Sequence, residues 1–369
     1  MLSIIIPTFN EKHNVYTVTD RICQVLDGEE FEIIFVDDSS DETPEFLARI
    51  SKENPRVSYI HRNGERGLAT AVTTGFQACR GSILTVMDAD LQHPPELLPQ
   101  LLAKIKTGHD LVVPSRFIPG GDDGGLSLLR KIVSRSARAL AWIALKKARH
   151  TTDPMSGFFM FRKHIIDGLE LNPVGWKILL EVLVKGNYRS VAEVPYRFQP
   201  RAGDESKMSF KEQLNYLHHL FRLVCTSPED SRFWKFSLVG LSGVFVNLAI
   251  YTFLVGMFRT NVVLSGVLSA FIAMFSNFML NDHFTWKNEN SQPFLVRLAK
   301  FYIYCSIGIF INAAVLTVFY EYANLNYILA NLLGIATATF WNFTSNNKWT
   351  WGTSTGELIP DDNRENSLG

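Results

Sequence analysis

The chain has 369 residues, of which 47% are hydrophobic and 20% charged, and 36 basic residues balance 36 acidic ones. This length accommodates two or three domains of ordinary size. A formal net charge of zero provides no global positive field, which argues against nucleic acid as a partner. The four cysteines (Cys23, Cys79, Cys225 and Cys305) have neither paired nor metal-ligand spacing, so we expect free thiols in a reducing compartment.

Up to about Cys225, short apolar runs alternate with charged stretches of helical periodicity. The predicted strands are residues 3–6, 32–36, 57–60, 82–86 and 111–113. The predicted helices are residues 15–26, 42–51, 68–78 and 96–106. This alternation predicts an α/β domain with a mostly parallel sheet covered on both faces, which we assign to residues 1–208. Because the chain enters a strand at once, without the segments of a signal peptide, we expect no cleaved signal.

Polar clusters follow four of the predicted strands. They are residues 7–11 (PTFNE), 37–41 (DDSSD), 62–67 (RNGERG) and 88–90 (DAD). Ligands of open α/β sheets bind beyond the carboxyl ends of the strands, so the joint placement of these clusters predicts a binding cleft. Each cluster alone also has an ordinary structural explanation, because Asp, Asn, Ser and Gly cap helices and form turns.

Two carboxylates one residue apart, Asp88 and Asp90, end the fourth predicted strand. Side chains at i and i+2 of a strand point the same way, so both carboxylates can reach one hard divalent cation. Mg²⁺ binds through one or two carboxylates together with substrate phosphates. The pair therefore predicts a nucleotide-diphosphate site, and a surface turn is the alternative for the pair taken alone.

Four segments together resemble glycosyltransferase family 2, most closely its dolichyl-phosphate mannose synthase branch. They are residues 5–11 (IIPTFNE), 36–41 (VDDSSD), 66–68 (RGL) and 87–95 (MDADLQHPP). The resemblance covers about the first 210 residues and implies a GT-A fold, a nucleotide-sugar donor, Mg²⁺ or Mn²⁺, and inversion at the anomeric carbon.

Carried over residue by residue, this resemblance implies two sets of ligand contacts. The metal set is Asp88, Asp90 and Gln92. The nucleotide-sugar set is Pro7, Thr8, Asn10, Glu11, Val36, Asp38, Asp41, Asp88, Ala89 and Lys207.

Basic residues near the predicted cleft suit phosphate groups. Arginine matches phosphate oxygens with two parallel donors, so arginines are natural anchors for an acceptor phosphate or a leaving diphosphate. The predicted catalytic set is Asp90, Arg116, Arg130 and Arg201. The predicted acceptor-phosphate set is Arg116, Arg130 and Ser134. A solvated surface arginine is the alternative for Arg130.

Residues 153–158 (DPMSGF) resemble the segment near the reacting centre of that family, where many inverting relatives keep a carboxylate base. A lipid monophosphate has a second pKa of about 6 and is largely dianionic at pH 7, so it needs no protein base. Catalysis would then depend on alignment and on stabilising the departing diphosphate.

Two segments, residues 126–148 and 209–231, combine apolar residues at helical spacing with many charges. The charges exclude membrane spans and favour basic amphipathic helices in the headgroup region, the second followed by a linker. This would turn the active site toward the bilayer surface. The alternative is a pair of ordinary helices packed on the sheet.

Residues 232–351 contain four apolar stretches of bilayer length, at about 236–257, 262–281, 300–320 and 327–346. Residues 235–247 match residues 300–312 without a gap, and the same offset of 65 residues relates Trp286 to Trp351. This pattern predicts a duplicated pair of helices and resembles the GtrA-like membrane family. Parallel copies weaken any analogy with inverted-repeat transporters.

Four asparagines lie within these apolar stretches, namely Asn247, Asn277, Asn312 and Asn342. We expect interhelical hydrogen bonds for them, with a role in lipid transport as the alternative.

Basic residues precede the first stretch, separate the second from the third and follow the fourth, whereas the other two loops offer only Arg259. The positive-inside rule therefore predicts a multi-pass protein with both termini and the catalytic domain in the cytoplasm. Residues 352–369 are polar and without periodicity, and we expect them to be disordered.

These features predict a membrane-bound inverting transferase that moves mannose from GDP-mannose to dolichyl or another polyprenyl phosphate. Three alternatives are a transferase for UDP-glucose or another UDP-sugar, a flippase for lipid-linked sugar, and a nucleotide-sugar-binding protein without turnover. The carboxylate pair with several arginines favours turnover, and the absence of mid-span charges argues against a stand-alone flippase. The sequence does not determine the base, the sugar, the carrier length or the oligomeric state.

Overall fold

The computed structural model describes residues 1–64, 67–122, 124, 128–198, 210–287 and 292–352, without the side chains of residues 128–130, 210 and 211. The chain divides into two compact units, Met1–Asp230 and Ser231–Gly369. The predicted disorder of residues 352–369 falls, apart from Gly352, outside the described residues.

The first unit is built on a seven-stranded sheet. Its strands are β1 (Leu2–Thr8), β2 (Phe31–Asp37), β3 (Val57–His61), β4 (Ile83–Val86), β5 (Leu111–Ser115), β6 (Phe159–Arg162) and β7 (Val191–Pro195). They lie in the order β3-β2-β1-β4-β6-β5-β7. All neighbours are parallel except β6, which runs antiparallel to β4 and β5. The predicted α/β class with a mostly parallel sheet is confirmed.

The helices of this unit pack on the two faces of the sheet or on one another. They are α1 (Val15–Val25), α2 (Thr43–Glu53), α3 (Leu68–Ala78), α4 (Leu98–Lys106), α5 (Leu128–Ala144), α6 (Ile178–Lys185) and α7 (Phe210–Thr226). Along β1, Ile4 and Ile6 belong to a core shared with α1, α2 and α4, whereas Ile5 packs on the opposite face with α3 and α6. Successive side chains of a strand point to opposite faces, so β1 contributes to both cores.

The sequence pattern did not predict β6, β7 or α6, which the structure contains. Phe159, Met160 and Phe161 of β6 are all completely buried. A strand with apolar side chains on both faces has no period of two, and its short run cannot be distinguished from a buried helical segment by periodicity.

Helices α5 and α7 pack against each other through a third apolar cluster that includes Ala141, Tyr216 and Leu220. The Tyr216 hydroxyl donates a hydrogen bond to the Ala137 carbonyl at 2.6 Å. Their outer faces carry exposed apolar side chains, which are Ile132, Leu140 and Ile143 on α5 and Leu214, Leu217 and Phe221 on α7. Both helices therefore have one face in the domain core and a second apolar face exposed.

The second unit is helical. Its helices are α8 (Pro228–Phe258), α9 (Val262–Leu280), α10 (Phe294–Thr317) and α11 (Tyr327–Ser345). The described residues contain three stretches long and apolar enough to cross a membrane, which are Pro228–Phe258, Val262–Thr285 and Phe294–Tyr322. The fourth predicted stretch corresponds to α11. This helix is continuous, but its apolar sequence includes the polar residues Asn331, Thr337, Thr339 and Asn342.

We predicted a helix followed by a linker within residues 209–231. The structure corrects the linker, because α7 ends at Thr226 and α8 already begins at Pro228. Proline is favoured in the first turn of a helix, where its missing N–H costs no hydrogen bond. The acidic residues Glu229 and Asp230 follow it in that turn, where they interact favourably with the helix dipole.

Trp286 and Trp351, which are 65 positions apart, make reciprocal contacts in this unit. The rings of Trp286 and Trp351 stack with centroids 4.0 Å apart. Trp286 Nε1 donates to Asn347 Oδ1 at 3.1 Å, and Trp351 Nε1 donates to Asp282 Oδ1 at 2.8 Å. Asn347 follows Asp282 by the same offset that separates the two tryptophans. Asp282 also accepts two hydrogen bonds from Arg297, at 3.0 and 2.9 Å.

The prediction of interhelical hydrogen bonds for the four asparagines is wrong for their side-chain oxygens. The Oδ1 atoms of Asn247, Asn277, Asn312 and Asn342 are buried and have no hydrogen-bond partner among the described residues. A side chain added at Gly243 would overlap Asn277, and one added at Gly308 would overlap Asn342. At these two positions the asparagine side chains therefore pack closely against glycine.

We expect Gly243→Ala to destabilise the membrane unit, because its methyl group would displace the Asn277 side chain. Overpacking of this kind costs roughly 1 to 3 kcal/mol. Gly240→Ala is the matched control, since a Cβ at Gly240 has nothing within 4 Å. Thermal unfolding of the purified full chain in detergent measures the difference, and equal melting temperatures for the two variants would refute the proposed packing.

Candidate active site

The carboxyl ends of β1 and β4 meet where the strand order reverses, since β1 lies between β2 and β4. This is the usual ligand position of open α/β sheets. A pocket opens there between Pro7 of β1, Asp88 after β4, Gly157 before β6, and Trp176 and Ile178 at the start of α6. Residues distant in sequence are therefore brought together at one edge of the sheet.

The Asp88–Asp90 turn presents both carboxylates outward. Ala89 between them is 2% exposed, while both aspartates are half-buried. Leu91 adopts a positive φ of 62°, and the Gln92 backbone N–H donates to Asp90 Oδ1 at 3.1 Å. The Gln92 backbone thus fixes the Asp90 carboxylate within the turn that follows β4.

A divalent metal fits this donor set. The described residues contain no cluster of three or more His, Cys, Asp and Glu side chains that could hold a metal by themselves. Asp88 and Asp90 supply carboxylate oxygens from one short turn, and Mg²⁺ is commonly bound through one or two carboxylates when phosphates and water complete its coordination.

His93 supports the turn as a neutral ring. Its Nδ1 accepts the Asp88 backbone N–H at 3.1 Å, so that nitrogen carries no proton and the neutral ring is protonated at Nε2. The 3.3 Å approach of Nδ1 to Asp88 Oδ2 is consequently not an ion pair. Burial lowers the pKa of His93 to about 4, although the nearby Asp90 carboxylate raises it in part. The ring packs against Phe158 at a centroid distance of 5.3 Å.

Arg116, predicted for catalysis and acceptor binding, forms a buried ion pair with Asp153. Its Nε and Nη2 donate to the two Asp153 oxygens at 2.8 and 3.2 Å. The Asp153 side chain is 1% exposed and that of Arg116 13%. Both oxygens of the Asp153 carboxylate thus accept from the Arg116 guanidinium, which fixes the orientation of the pair.

A hydrogen-bond network holds the segment that carries Asp153. Glu193 Oε1 accepts from the Thr151 hydroxyl at 2.7 Å, and from the Thr152 backbone N–H and hydroxyl at 2.7 and 2.8 Å. The Thr152 hydroxyl also contacts Ser115 Oγ at 2.6 Å. Strand β7 therefore positions the Asp153 segment against the end of β5, which Arg116 directly follows.

Two cations near the Arg116–Asp153 pair were not predicted as site residues, because no local motif marks them. Arg138 of α5 donates to the Thr152 carbonyl at 3.3 Å, and its Cζ lies 3.8 Å from the centre of the Phe117 ring. Lys177, directly before α6, donates to the Met155 carbonyl at 3.4 Å. Burial lowers the pKa of the Lys177 amine and that of the Arg138 guanidinium, while Asp153 raises both in part.

Strand pairing and a hydrogen bond between loops hold the residues of β1 and β2 that we predicted to contact the nucleotide. Pro7 and Val36 are register partners of these parallel strands, and Thr8 Oγ1 donates to the Val36 carbonyl at 3.4 Å. Asn10, at a positive φ of 59°, accepts the Ser40 backbone N–H at 3.0 Å. Two loops that follow neighbouring strands are thereby joined.

Three of the predicted acidic contacts have structural partners of their own. Asp38 is paired with Arg62 through two hydrogen bonds of 2.7 and 2.6 Å. Glu11 accepts from Asn14 Nδ2 at 2.7 Å. Asp41 accepts from the Thr43 backbone N–H and hydroxyl, at 3.0 and 2.6 Å, and so supports the start of α2. The ordinary capping explanation thus accounts for the contacts that the structure gives Asp41.

Other predicted site residues fall partly or wholly outside the described part of the chain. Arg201 and Lys207 lie outside it, as does Arg66. Arg130 belongs to the first turn of α5, but its side chain is not described. Ser134 lies one turn further along the same helix and is half-buried.

Two family models match the chain, glycosyl transferase family 2 over residues 3–169 and the GtrA/DPMS transmembrane domain over residues 235–351. A dolichol-phosphate mannosyltransferase of Pyrococcus furiosus is 40% identical over 95% of this chain and 99% of its own length. The dolichol-phosphate mannosyltransferase of Saccharomyces cerevisiae is 36% identical over 60% of this chain and 86% of its own length. An undecaprenyl-phosphate 4-deoxy-4-formamido-L-arabinose transferase of Klebsiella pneumoniae is 30% identical over 62% of this chain and 68% of its own length.

Among solved structures, the glucosyl-3-phosphoglycerate synthase of Mycobacterium tuberculosis, in complex with Mn²⁺, UDP and glucosyl-3-phosphoglycerate, aligns with a TM-score of 0.48 and 19% identity. The alignment covers 62% of this chain and 79% of that structure.

Proposed function

The chain belongs to the dolichol-phosphate mannosyltransferases of glycosyl transferase family 2, and we propose that it transfers mannose from GDP-mannose to dolichyl or a related polyprenyl phosphate. Transfer would invert the anomeric carbon and release GDP. The observation that carries this proposal is the Asp88–Asp90 turn at the reversal of strand order, together with the Arg116–Asp153 ion pair that follows β5.

In this proposal Asp88, Asp90 and Gln92 hold Mg²⁺ or Mn²⁺. When bound, the cation would neutralise charge on the diphosphate as it departs. The Gln92 backbone N–H orients the Asp90 carboxylate, and the neutral His93 ring keeps the Asp88 backbone in place. These contacts hold the carboxylates in position before substrate arrives, which is the condition for electrostatic stabilisation without reorganisation.

The nucleotide sugar would lie across the ends of β1 and β2, beside Pro7, Thr8, Asn10, Glu11, Val36, Asp38, Asp41 and Ala89. The Arg62 pairing gives Asp38 a fixed orientation. Lys207 and Arg201 would complete the contacts to donor and leaving group, because cations suit phosphate oxygens.

The acceptor phosphate would be held by Arg116, Arg130 and Ser134, which come from the end of β5 and the start of α5. Asp153 occupies two donors of the Arg116 guanidinium and fixes its plane, so we assign Asp153 to positioning rather than to proton transfer. A dianionic lipid phosphate supplies its own nucleophilic oxygen.

We also propose that the lipid reaches this site from a bilayer surface beneath α5 and α7. The exposed residues of these helices combine apolar side chains such as Ile143 and Phe221 with the basic Arg135, which is the composition of an interfacial helix. The C-terminal unit would anchor the enzyme by four spans arranged as a duplicated helix pair, with α11 as the fourth. Both termini and the catalytic domain would lie in the cytoplasm.

A donor panel tests the proposed function directly. Purified full-length protein is incubated with radiolabelled GDP-mannose, UDP-glucose or another UDP-sugar, with a polyprenyl phosphate and with Mn²⁺, Mg²⁺ or EDTA, and labelled lipid is extracted. We expect label only from GDP-mannose and only with metal. Label from a UDP-sugar instead would replace the proposed donor, and turnover in EDTA would remove the metal from the proposal.

A further inference from the structure

Lys177 lies at the edge of the pocket beside the carboxylate turn. Its two chain neighbours, Trp176 and Ile178, both line that pocket together with Asp88 and Gly157. The residue directly precedes α6, whose buried side chains anchor it against the sheet. The backbone of Lys177 is therefore held at the pocket by its flanking residues.

Lys177 is a half-buried residue, and the described residues give its amine few partners. Among the described residues its hydrogen-bond acceptor is the Met155 carbonyl, at the long distance of 3.4 Å. An ammonium group offers three donors, so this contact leaves most of its capacity to other partners. No carboxylate in the described part of the chain forms an ion pair with it within 4.0 Å.

The charges that surround Lys177 are those of the reaction site. Asp153, Arg116 and Asp88 act on it electrostatically, together with Glu212 of α7. The Asp153 carboxylate is already neutralised by Arg116, with which it shares two hydrogen bonds. A half-buried cation that pairs with no carboxylate among the described residues is costly unless an anion approaches it when the site fills.

We propose that Lys177 binds a phosphate oxygen of the reacting substrates, an inference that rests on the proposed function. In that reaction an acceptor phosphate oxygen forms a bond to the anomeric carbon. The bond from that carbon to the diphosphate oxygen breaks, and its electron pair stays on the leaving diphosphate. Lys177 exchanges no atom; its positive charge stabilises either the leaving diphosphate or the incoming phosphate, which share the same chemistry.

Three variants of the full-length protein test this role. Lys177→Met keeps the length of the side chain but removes the charge, and we expect kcat/KM for transfer to fall at least about 10-fold, as for loss of a charge-assisted hydrogen bond. Lys177→Arg should recover part of the activity because it keeps the charge. Lys104→Met is the matched control, since Lys104 is exposed on α4, and it should stay within twofold of wild type.

Two measurements distinguish the source of the phosphate. Calorimetric titration with GDP and Mn²⁺ reports on the diphosphate, and the KM for a short-chain polyprenyl phosphate reports on the acceptor. A selective loss of GDP affinity assigns Lys177 to the leaving group, and a selective rise in acceptor KM assigns it to the nucleophile. Either result supports the proposal.

Two results would overturn it. One is a Lys177→Met enzyme with GDP affinity and acceptor kinetics within twofold of wild type. The other is an equal loss of activity in the Met and Arg variants accompanied by a lower melting temperature, which would make Lys177 a purely structural residue. If Lys177→Met alone lowers the melting temperature, Lys177→Gln is measured in the same two assays. Wild-type transfer from GDP-mannose tests the proposed function separately, whatever the variants do.

Discussion

Asp90→Asn is expected to reduce sugar transfer at least ~100-fold while the protein still folds and enters the membrane. The substitution removes the charge of one of the two carboxylates that end β4, and single electrostatic contributions of this kind reach several kcal/mol in active sites. Asparagine preserves the shape, and its carbonyl oxygen can still accept the Gln92 backbone N–H that Asp90 Oδ1 accepts at 3.1 Å. Radiolabelled transfer, measured with wild type at saturating donor, gives the loss.

Asp27→Asn is the control for this experiment, because Asp27 is exposed after α1 and lies outside the proposed ligand sets. It should retain full activity. The melting temperatures of both variants should match that of wild type. An Asp90→Asn enzyme with wild-type turnover would show that the carboxylate pair is an ordinary turn, which is the alternative that the sequence allowed.

Asp153→Asn is expected to destabilise the catalytic domain by about 3 to 5 kcal/mol, because it leaves the Arg116 guanidinium largely buried without its counter-charge. For a domain of this size the melting temperature should fall by on the order of 10 °C. Thermal unfolding of the purified protein, followed by tryptophan fluorescence, measures the shift.

The matched control is Glu29→Gln, which removes one partner of an exposed pair. Glu29 and Lys106 are 2.6 Å apart, but their side chains are 40% and 55% exposed. Pairs of this kind contribute at most about 1 kcal/mol. If Asp153→Asn abolished transfer without lowering the melting temperature, Asp153 would act on the substrate itself, and our assignment of it to positioning would be wrong.

Much of the first unit could be predicted from the sequence, because its strands and helices are encoded by local patterns of apolar and polar residues. Five of its seven strands begin and end within two residues of their predicted bounds. The polar clusters were identified from their position directly after apolar strands, and parallel strands bring their carboxyl ends to one edge of the sheet. The pair Asp88 and Asp90 follows from that rule alone, because both residues belong to one short turn.

What the sequence could not supply are the pairings between distant segments. Arg116 is recognisable as a cation near a strand end, but its partner Asp153 lies 37 residues further along the chain. Asp38 and Arg62 are 24 residues apart in the same way. Propensity and periodicity act over a few residues, so they carry no information about which opposite charges will meet.

The sequence by itself therefore determined the class of the sheet, the 65-residue offset between matching apolar segments and the place of the paired carboxylates after β4, since each is encoded within a short segment or a constant offset. Only the tertiary structure decided that β6 inserts antiparallel, that Asp153 holds Arg116, and that the two chain neighbours of Lys177 line the pocket beside Asp88. These features depend on how buried surfaces pack and on which charged side chains are buried in contact with each other. That outcome is set by the whole fold and not by any local run of residues.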